Sequence, residues 1–284
     1  MDVTVEHNAP ATMRDGTVLR ADVYRPATGG PYPVLLSRLP YGKSVPRFVA
    51  LLDPLALARS GFIVVMQDTR GRYASEGEWE PWTYEADDGY DTVRWAAALP
   101  DSNGRVGMIG MSYFGNTHWT AALSKPPELT AIAPQITWSD PHDGLFGRGG
   151  AVELGLTMPW SLLQGIDTLM RRHADDPAAL GPALGALVHD VDQLRPATYW
   201  ELPAGRHPAF QRHEVPELGF EHALRDPQWS AACSGGGTPG GGRPAQPETG
   251  GLVRRLLPGH ARQLRREPRR GAPGHPDHGP LDAH

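Results

Sequence analysis

Gly107–Trp119 reads GMIGMSYFGNTHW, and the fold is decided there. The apolar run RVGMIGM suits a buried strand, and NTHWTAALS continues as a helix. Ser112 falls at the junction. A serine lifted on a sharp strand-to-helix turn is how many hydrolases expose a nucleophile, and such a turn needs room on both sides of the serine. Gly110 stands two residues before Ser112; two after it stands Phe114, where the strict pattern has glycine, and Gly115 follows. The same position also suits a helix N-cap, so the local sequence leaves two readings of Ser112 open. The glycines do not make G-x-G-x-x-G, which argues against a nucleotide-binding turn.

Working outward, the segments on both sides alternate between strand and helix. MRDGTVLRADVYRP (Met13–Pro26) reads as a β-hairpin around Asp15-Gly16. Val34–Leu36 is a short buried strand. Residues 47–60 suit one helix ending near Ser60-Gly61. FIVVMQD (Phe62–Asp68) is a continuous β-branched run that suits a central parallel strand. A polar, glycine-rich loop follows, then a helix over Glu85–Leu99, the Ser112 strand and helix, and a further strand in LTAIAPQITW (Leu129–Trp138). Strands alternating with helices imply a mostly parallel sheet with crossover helices on both faces. From Asp140 to about Pro227 the sequence is helix-rich with no clear buried strand, as expected of an insertion covering one end of the sheet.

Composition sets further bounds. The chain has 284 residues, 39% hydrophobic and 21% charged, normal for a globular protein. A net charge of −5 gives no reason to expect nucleic acid. The single cysteine, Cys233, excludes an internal disulfide or a multi-cysteine zinc site, and no metal or cofactor is expected. No stretch is long enough to span a membrane, and the N-terminus lacks an apolar signal core, so a cytoplasmic protein is the default. All 8 Trp, 8 Tyr and 6 Phe lie before Ala231. Beyond it Gly, Pro and Arg take over, a composition that predicts disorder because there is little to bury. The expected organisation is therefore an α/β sheet domain over 1–140, a helical cap insertion over 141–230 and a tail over 231–284.

Five blocks carry a family resemblance. GMSYFG resembles the G-x-S-Y-x-G elbow of the Xaa-Pro dipeptidyl-peptidase and cocaine esterase (CocE/NonD) family of α/β-hydrolases. MRDGTVLRADVYRP, LPYGK, VVMQDTRGRYASEGEW and DGYDTVRWAAALPDSNGRVGMIGMSY resemble, in the same order, the family's N-terminal hairpin, its P-Y segment, its strand and loop, and the approach to the elbow. The resemblance implies an α/β-hydrolase fold with a helical cap. It also implies an acyl-enzyme mechanism on a small-molecule ester or a Xaa-Pro peptide. Ser112 would be the nucleophile, with the Tyr113 backbone N–H and the Tyr41 hydroxyl as oxyanion donors. Apart from the resemblance, Tyr41 also reads as an amphipathic core or rim residue. Asp68, though it stands beside Arg70 and Arg72, reads as a loop or ion-pair residue with an arginine partner.

The acid and histidine of such a triad should follow later strands, in the order Ser, acid, His. None of the twelve histidines has that context. His7 precedes the serine and His118 lies on its helix. His142, His173, His189, His207, His213 and His222 belong to the cap region. His260, His275, His278 and His284 lie in the tail. The family's acid sits in a G-W-Y-D segment and its histidine in G-P-W-x-H. Back-translated and advanced by one nucleotide, GLVRRLLPGHARQLR (Gly251–Arg265) can spell G-W-Y-D-V-F-F-P-G-T-L-D-N-Y-A, and HGPLDAH (His278–His284) can spell M-G-P-W-T-H. The expectation is that the chain leaves its ancestral frame between about Trp229 and Gly242. The Asp codon would straddle Arg254 and Arg255, and the His codon Ala283 and His284. The family's later sheet strands and β-sandwich domain have no counterpart in the tail. As translated, the chain would keep its nucleophile and lack its base. The alternatives are a catalytically dead binding or interaction module, with the arginine-rich tail as contact surface, or a non-functional fragment. Sequencing the gene from the Trp229 codon onward should give W-Y-D and G-P-W-x-H one base out of frame; codons that do not spell them refute the frame change.

Overall fold

The structure is a computed structural model, and it describes residues 1–138, 144–148, 151–203, 206–216 and 218. The expected tail over 231–284, with its out-of-frame motifs, lies outside the described residues, as do His142 and His222.

Six strands form one sheet: β1 (Val3–Thr12), β2 (Val18–Pro26), β3 (Tyr32–Leu39), β4 (Ile63–Asp68), β5 (Ser102–Met111) and β6 (Leu129–Gln135). Their order across the sheet is β1-β2-β4-β3-β5-β6. β3, β4, β5 and β6 run parallel to one another, while β1 and β2 form an antiparallel hairpin that joins the sheet beside β4. The hairpin turns at Asp15-Gly16, as expected, but its first strand begins at Val3, well before Met13. All six residues of β4 are buried, and the strand is parallel to β3 on one side and antiparallel to β2 on the other.

Strand alternation sorts the core onto two faces. Val34, Leu36, Ile63, Val65, Val106 and Met108 pack with α3 (Glu85–Ala97) and α4 (Tyr113–Ser124). Leu39, Val64 and Met66 pack on the other face with α1 (Pro46–Leu52) and α2 (Pro54–Arg59). The single helix expected over 47–60 is thus two helices. Asp53 adopts a left-handed conformation (φ 43°), ends α1, and caps α2 by accepting from the Ala56 N–H. Pro54 follows at the first helical position, where its missing N–H costs nothing.

Beyond a two-strand ladder, β7 (Gly147–Arg148) with β8 (Ala151–Val152), come α5 (Leu154–Arg172), α6 (Pro177–Asp192) and α7 (Pro208–His213). These helices share a separate core that includes Met158, Leu162, Leu169, Leu187 and Phe210. The described chain contains no helix long and apolar enough to cross a membrane.

Polar side chains at the carboxyl ends of β3 and β4 join these parts. Asp68 accepts from the Lys43 backbone N–H (2.7 Å) and from Lys43 Nζ (2.8 Å), both side chains being nearly inaccessible. The partner is therefore Lys43, not the expected arginine; Arg70 pairs instead with Asp88 and Asp15. Burial pushes the Asp68 carboxyl up, and Lys43 pulls it back. Asp68→Asn leaves a buried ammonium without a counter-charge, and urea unfolding should register a loss of about 3–5 kcal/mol; a loss under about 1 kcal/mol would mean that the Lys43 loop relaxes into solvent.

Candidate active site

Ser112 sits between β5 and α4 with φ 53° and ψ −125°, a conformation that L-residues avoid. The turn is closed from several sides. The Ser112 N–H is shared between the carbonyls of Gln135 and Ile136 at 3.0 and 3.2 Å, and the Ser112 carbonyl accepts from Gly115, Asn116 and the Thr137 hydroxyl. Two glycines make the geometry possible. Gly110 has φ 152°, and a Cβ there would lie 2.3 Å from the Phe114 ring. A Cβ on Gly115 would press on the Gln135 and Gly110 carbonyl oxygens at 3.1 and 3.3 Å. The departure from the strict pattern is thereby explained: Phe114 turns into the core, and the close approach falls one residue later, at Gly115. Ser112 makes no side-chain capping hydrogen bond to α4, so its hydroxyl is not consumed in the way the N-cap reading requires.

The Tyr113 N–H is the first of α4 and belongs to the donors that a helix N-terminus leaves without an intrahelical acceptor. The Tyr113 side chain points into the protein. Its hydroxyl donates to Glu85 Oε1 (2.8 Å) and accepts from the Trp82 N–H (3.1 Å), while Glu85 Oε2 pairs with the buried Arg38 (2.8 Å). Burial and the Glu85 charge push the Tyr113 phenol well above its usual range.

Tyr41 follows β3, and its hydroxyl faces the same space as Ser112. Both line a cavity of about 30 Å³ walled by Trp82, Trp138, Leu145, Phe146, Leu156, Thr157 and Trp160. Trp160 Nε1, on α5, donates to the Tyr41 hydroxyl at 3.2 Å. Burial pushes the Tyr41 phenol up to about 12; the Trp160 N–H, the Arg72 charge and the neighbouring Ser112 hydroxyl act against that rise. A phenol held this way is a neutral donor in an apolar site, suited to stabilising a developing oxyanion.

Sequence reasoning did not find Trp160, and it met Arg72 only as a neighbour of Asp68. Arg72 donates to the Pro40 carbonyl (3.0 Å), to the Gln164 carbonyl (3.2 Å) and to Gln164 Oε1 (2.9 Å), and lies 4.1 Å over the Trp79 ring. These partners are distant in sequence, Pro40 by 32 residues and Gln164 by 92, so no local pattern marks them.

No histidine lines the cavity among the described residues. His7 pairs with Asp22 at the hairpin, His207 caps α7, and His213 bonds Asp190 in the cap. Among the described residues no group of His, Cys, Asp and Glu is arranged to hold a metal ion. His118, on the buried side of α4, is fully inaccessible, and burial pushes its imidazole down to about 3, with only the nearby Ile109 carbonyl acting against that. The folded state keeps this ring neutral while the unfolded chain protonates it near 6.5, so its contribution is complete above pH 6.5 and is lost as pH falls toward 3. Denaturant unfolding between pH 6 and pH 4 should lose about 1.4 kcal/mol per pH unit to this one proton. His118→Gln should remove that part of the slope; an unchanged slope would contradict it.

Comparisons with known proteins bear on the family and the fold. The sequence model of the X-Pro dipeptidyl-peptidase (S15) family matches residues 15–217. Cocaine esterase from Rhodococcus sp. (strain MB1 Bresler) is 39% identical over 193 residues, which are 66% of this chain and 34% of that protein. A putative serine esterase from Mycobacterium bovis is 28% identical over 172 residues, 52% of this chain and 27% of its own length. The chain thus spans about a third of the length of the curated relatives it matches. The crystal structure of a CocE/NonD family hydrolase from Staphylococcus aureus superposes with a TM-score of 0.54 at 28% identity, covering 62% of this chain and 34% of that one. With an α/β-hydrolase sheet, a serine at its strand–helix turn and a family match over most of its length, this chain belongs to the X-Pro dipeptidyl-peptidase S15 family of hydrolases.

Proposed function

We propose that Ser112 is the nucleophile of an acyl-enzyme hydrolase acting on a small-molecule ester or Xaa-Pro peptide, with the Tyr41 hydroxyl and the Tyr113 N–H as oxyanion donors. The observation that carries the reading is the strained, uncapped Ser112 facing the same apolar cavity as the buried Tyr41 hydroxyl. Ser112 Oγ attacks the carbonyl carbon, and the oxyanion forms against the two donors. The bond to the leaving alcohol or amine then breaks as that group takes the serine proton by way of a histidine. Water, deprotonated by the same histidine, releases the acid.

On this reading the chain as translated turns over slowly, because none of its twelve histidines has the sequence context of that base. The reading that restores it is the shifted frame, with the base encoded across the Ala283 and His284 codons and the acid across Arg254 and Arg255. A binding module is the second reading; the uncapped, strained serine, which binding alone does not call for, favours the hydrolase.

Two chains test this with p-nitrophenyl acetate: the 284-residue polypeptide, and one from a gene advanced by one nucleotide between the Trp229 and Gly242 codons and continued to its next stop. The second should hydrolyse the ester at least ~10³-fold faster than the first. In it, Ser112→Ala should abolish turnover and Tyr41→Phe should lower kcat by about 10²–10³. Robust Ser112-dependent hydrolysis by the 284-residue chain would overturn the impairment. Hydrolysis indifferent to Ser112→Ala in the corrected chain would overturn the nucleophile.

A further inference from the structure

We infer that Trp160 is a positioning residue: its indole N–H occupies the Tyr41 oxygen and so fixes the direction in which the Tyr41 hydroxyl donates, toward the space in front of Ser112. The inference rests on Tyr41 as an oxyanion donor and adds how the cap makes it one.

A phenol hydroxyl is donor and acceptor at once. Beside a serine it has two choices: to donate toward the serine side, or to accept the serine proton. The second choice turns the phenol proton away from the oxyanion site and holds the serine proton where no base can take it. An N–H arriving at the phenol oxygen biases the choice, since it fills one acceptor position and makes the hydroxyl a better donor. Trp160 Nε1 donates to Tyr41 Oη at 3.2 Å; indole is donor-only, so this bond cannot reverse. The phenol oxygen is then engaged as acceptor, and its hydrogen is left for the Ser112 side of the cavity. Accepting a hydrogen bond also polarises the O–H and strengthens it as a donor in a site of low dielectric.

The distance between these groups is held from outside the pair. Arg72 donates to the carbonyl of Pro40, the residue before Tyr41, and to the carbonyl and side chain of Gln164, one turn beyond Trp160 on α5. The Trp160 ring packs against Trp79 and Trp82, with centroids at 6.2 and 5.6 Å. The cap helix and the oxyanion donor are therefore one fixed unit.

The test uses the 284-residue chain labelled with ¹⁵N at tryptophan, the Trp160 indole resonance being assigned by its disappearance in Trp160→Phe. Tyr41→Phe should move this N–H resonance upfield, as loss of an acceptor does; an unmoved resonance overturns the inference. The second readout is the slow single-turnover acetylation of Ser112 by p-nitrophenyl acetate, followed by intact mass against Ser112→Ala, since an oxyanion hole keeps residual catalysis without its base. Trp160→Phe should slow it about tenfold at saturating ester and have no further effect in the Tyr41→Phe background. Benzothienylalanine at position 160, with sulfur in place of the N–H, should reproduce the loss while keeping the ring's shape. Equal losses from Trp160→Phe in both backgrounds, or full rescue by benzothienylalanine, would show that the ring acts by packing and overturn the inference. If Tyr41→Phe slows acetylation and Trp160→Phe does not, the oxyanion reading stands and this inference alone falls. If Tyr41→Phe moves the resonance but leaves acetylation unchanged, the oxyanion reading fails and takes the role of Trp160 with it.

Discussion

A serine held at φ 53° and ψ −125° stores on the order of 1–3 kcal/mol of backbone strain, so the surroundings must over-determine it. Here β6 grips the Ser112 N–H, Thr137 and the first turn of α4 grip its carbonyl, and Gly110 and Gly115 leave the backbone room to close. Ser112 makes no side-chain hydrogen bond to the helix it precedes and lines the cavity shared with Tyr41. β5, β6 and α4 are thus arranged about one residue, and the cavity exists on the side to which that residue turns.

The second layer is ionic and almost wholly buried. Arg38 with Glu85, Lys43 with Asp68, and Arg72 with Asp167 and Gln164 all lie at the carboxyl end of the parallel strands. Buried ion pairs add little net stability compared with an apolar core, but each member strongly requires its partner. They therefore serve to fix segments in place. Lys43 with Asp68 pins the loop after Tyr41, Glu85 pins the Tyr113 ring, and Arg72 ties the cap to the sheet. The positions of Ser112, Tyr41 and Tyr113 follow from these three attachments.

Much of this was legible in the sequence because it is local. Period and β-branching in FIVVMQD mark the strand now seen as β4, Asp-Gly marks the hairpin, and G-x-S between an apolar run and a helix marks the turn. The break at Asp53 was also present as a signal, since Asp-Pro is an N-cap followed by its preferred first residue, but the surrounding apolar spacing reads through it. What was not legible is set by long-range contact. Asp68 was read as an ion-pair residue, yet its partner proved to be Lys43, because the Gly42 turn brings that lysine back over β4. The hydrogen bond from Trp160 to Tyr41 joins residues 119 apart, and no periodicity encodes it.

The claim on which everything else depends is that Ser112 forms the covalent bond to the acyl group. It is tested most directly by exposing the 284-residue chain to p-nitrophenyl acetate, quenching in acid, and mapping the acetyl group by peptide mass spectrometry. The account predicts acetyl on the peptide containing Gly107–Trp119, located at Ser112 and absent in Ser112→Ala. Acetyl found only on lysines or the N-terminus, with Ser112 unmodified, would contradict it.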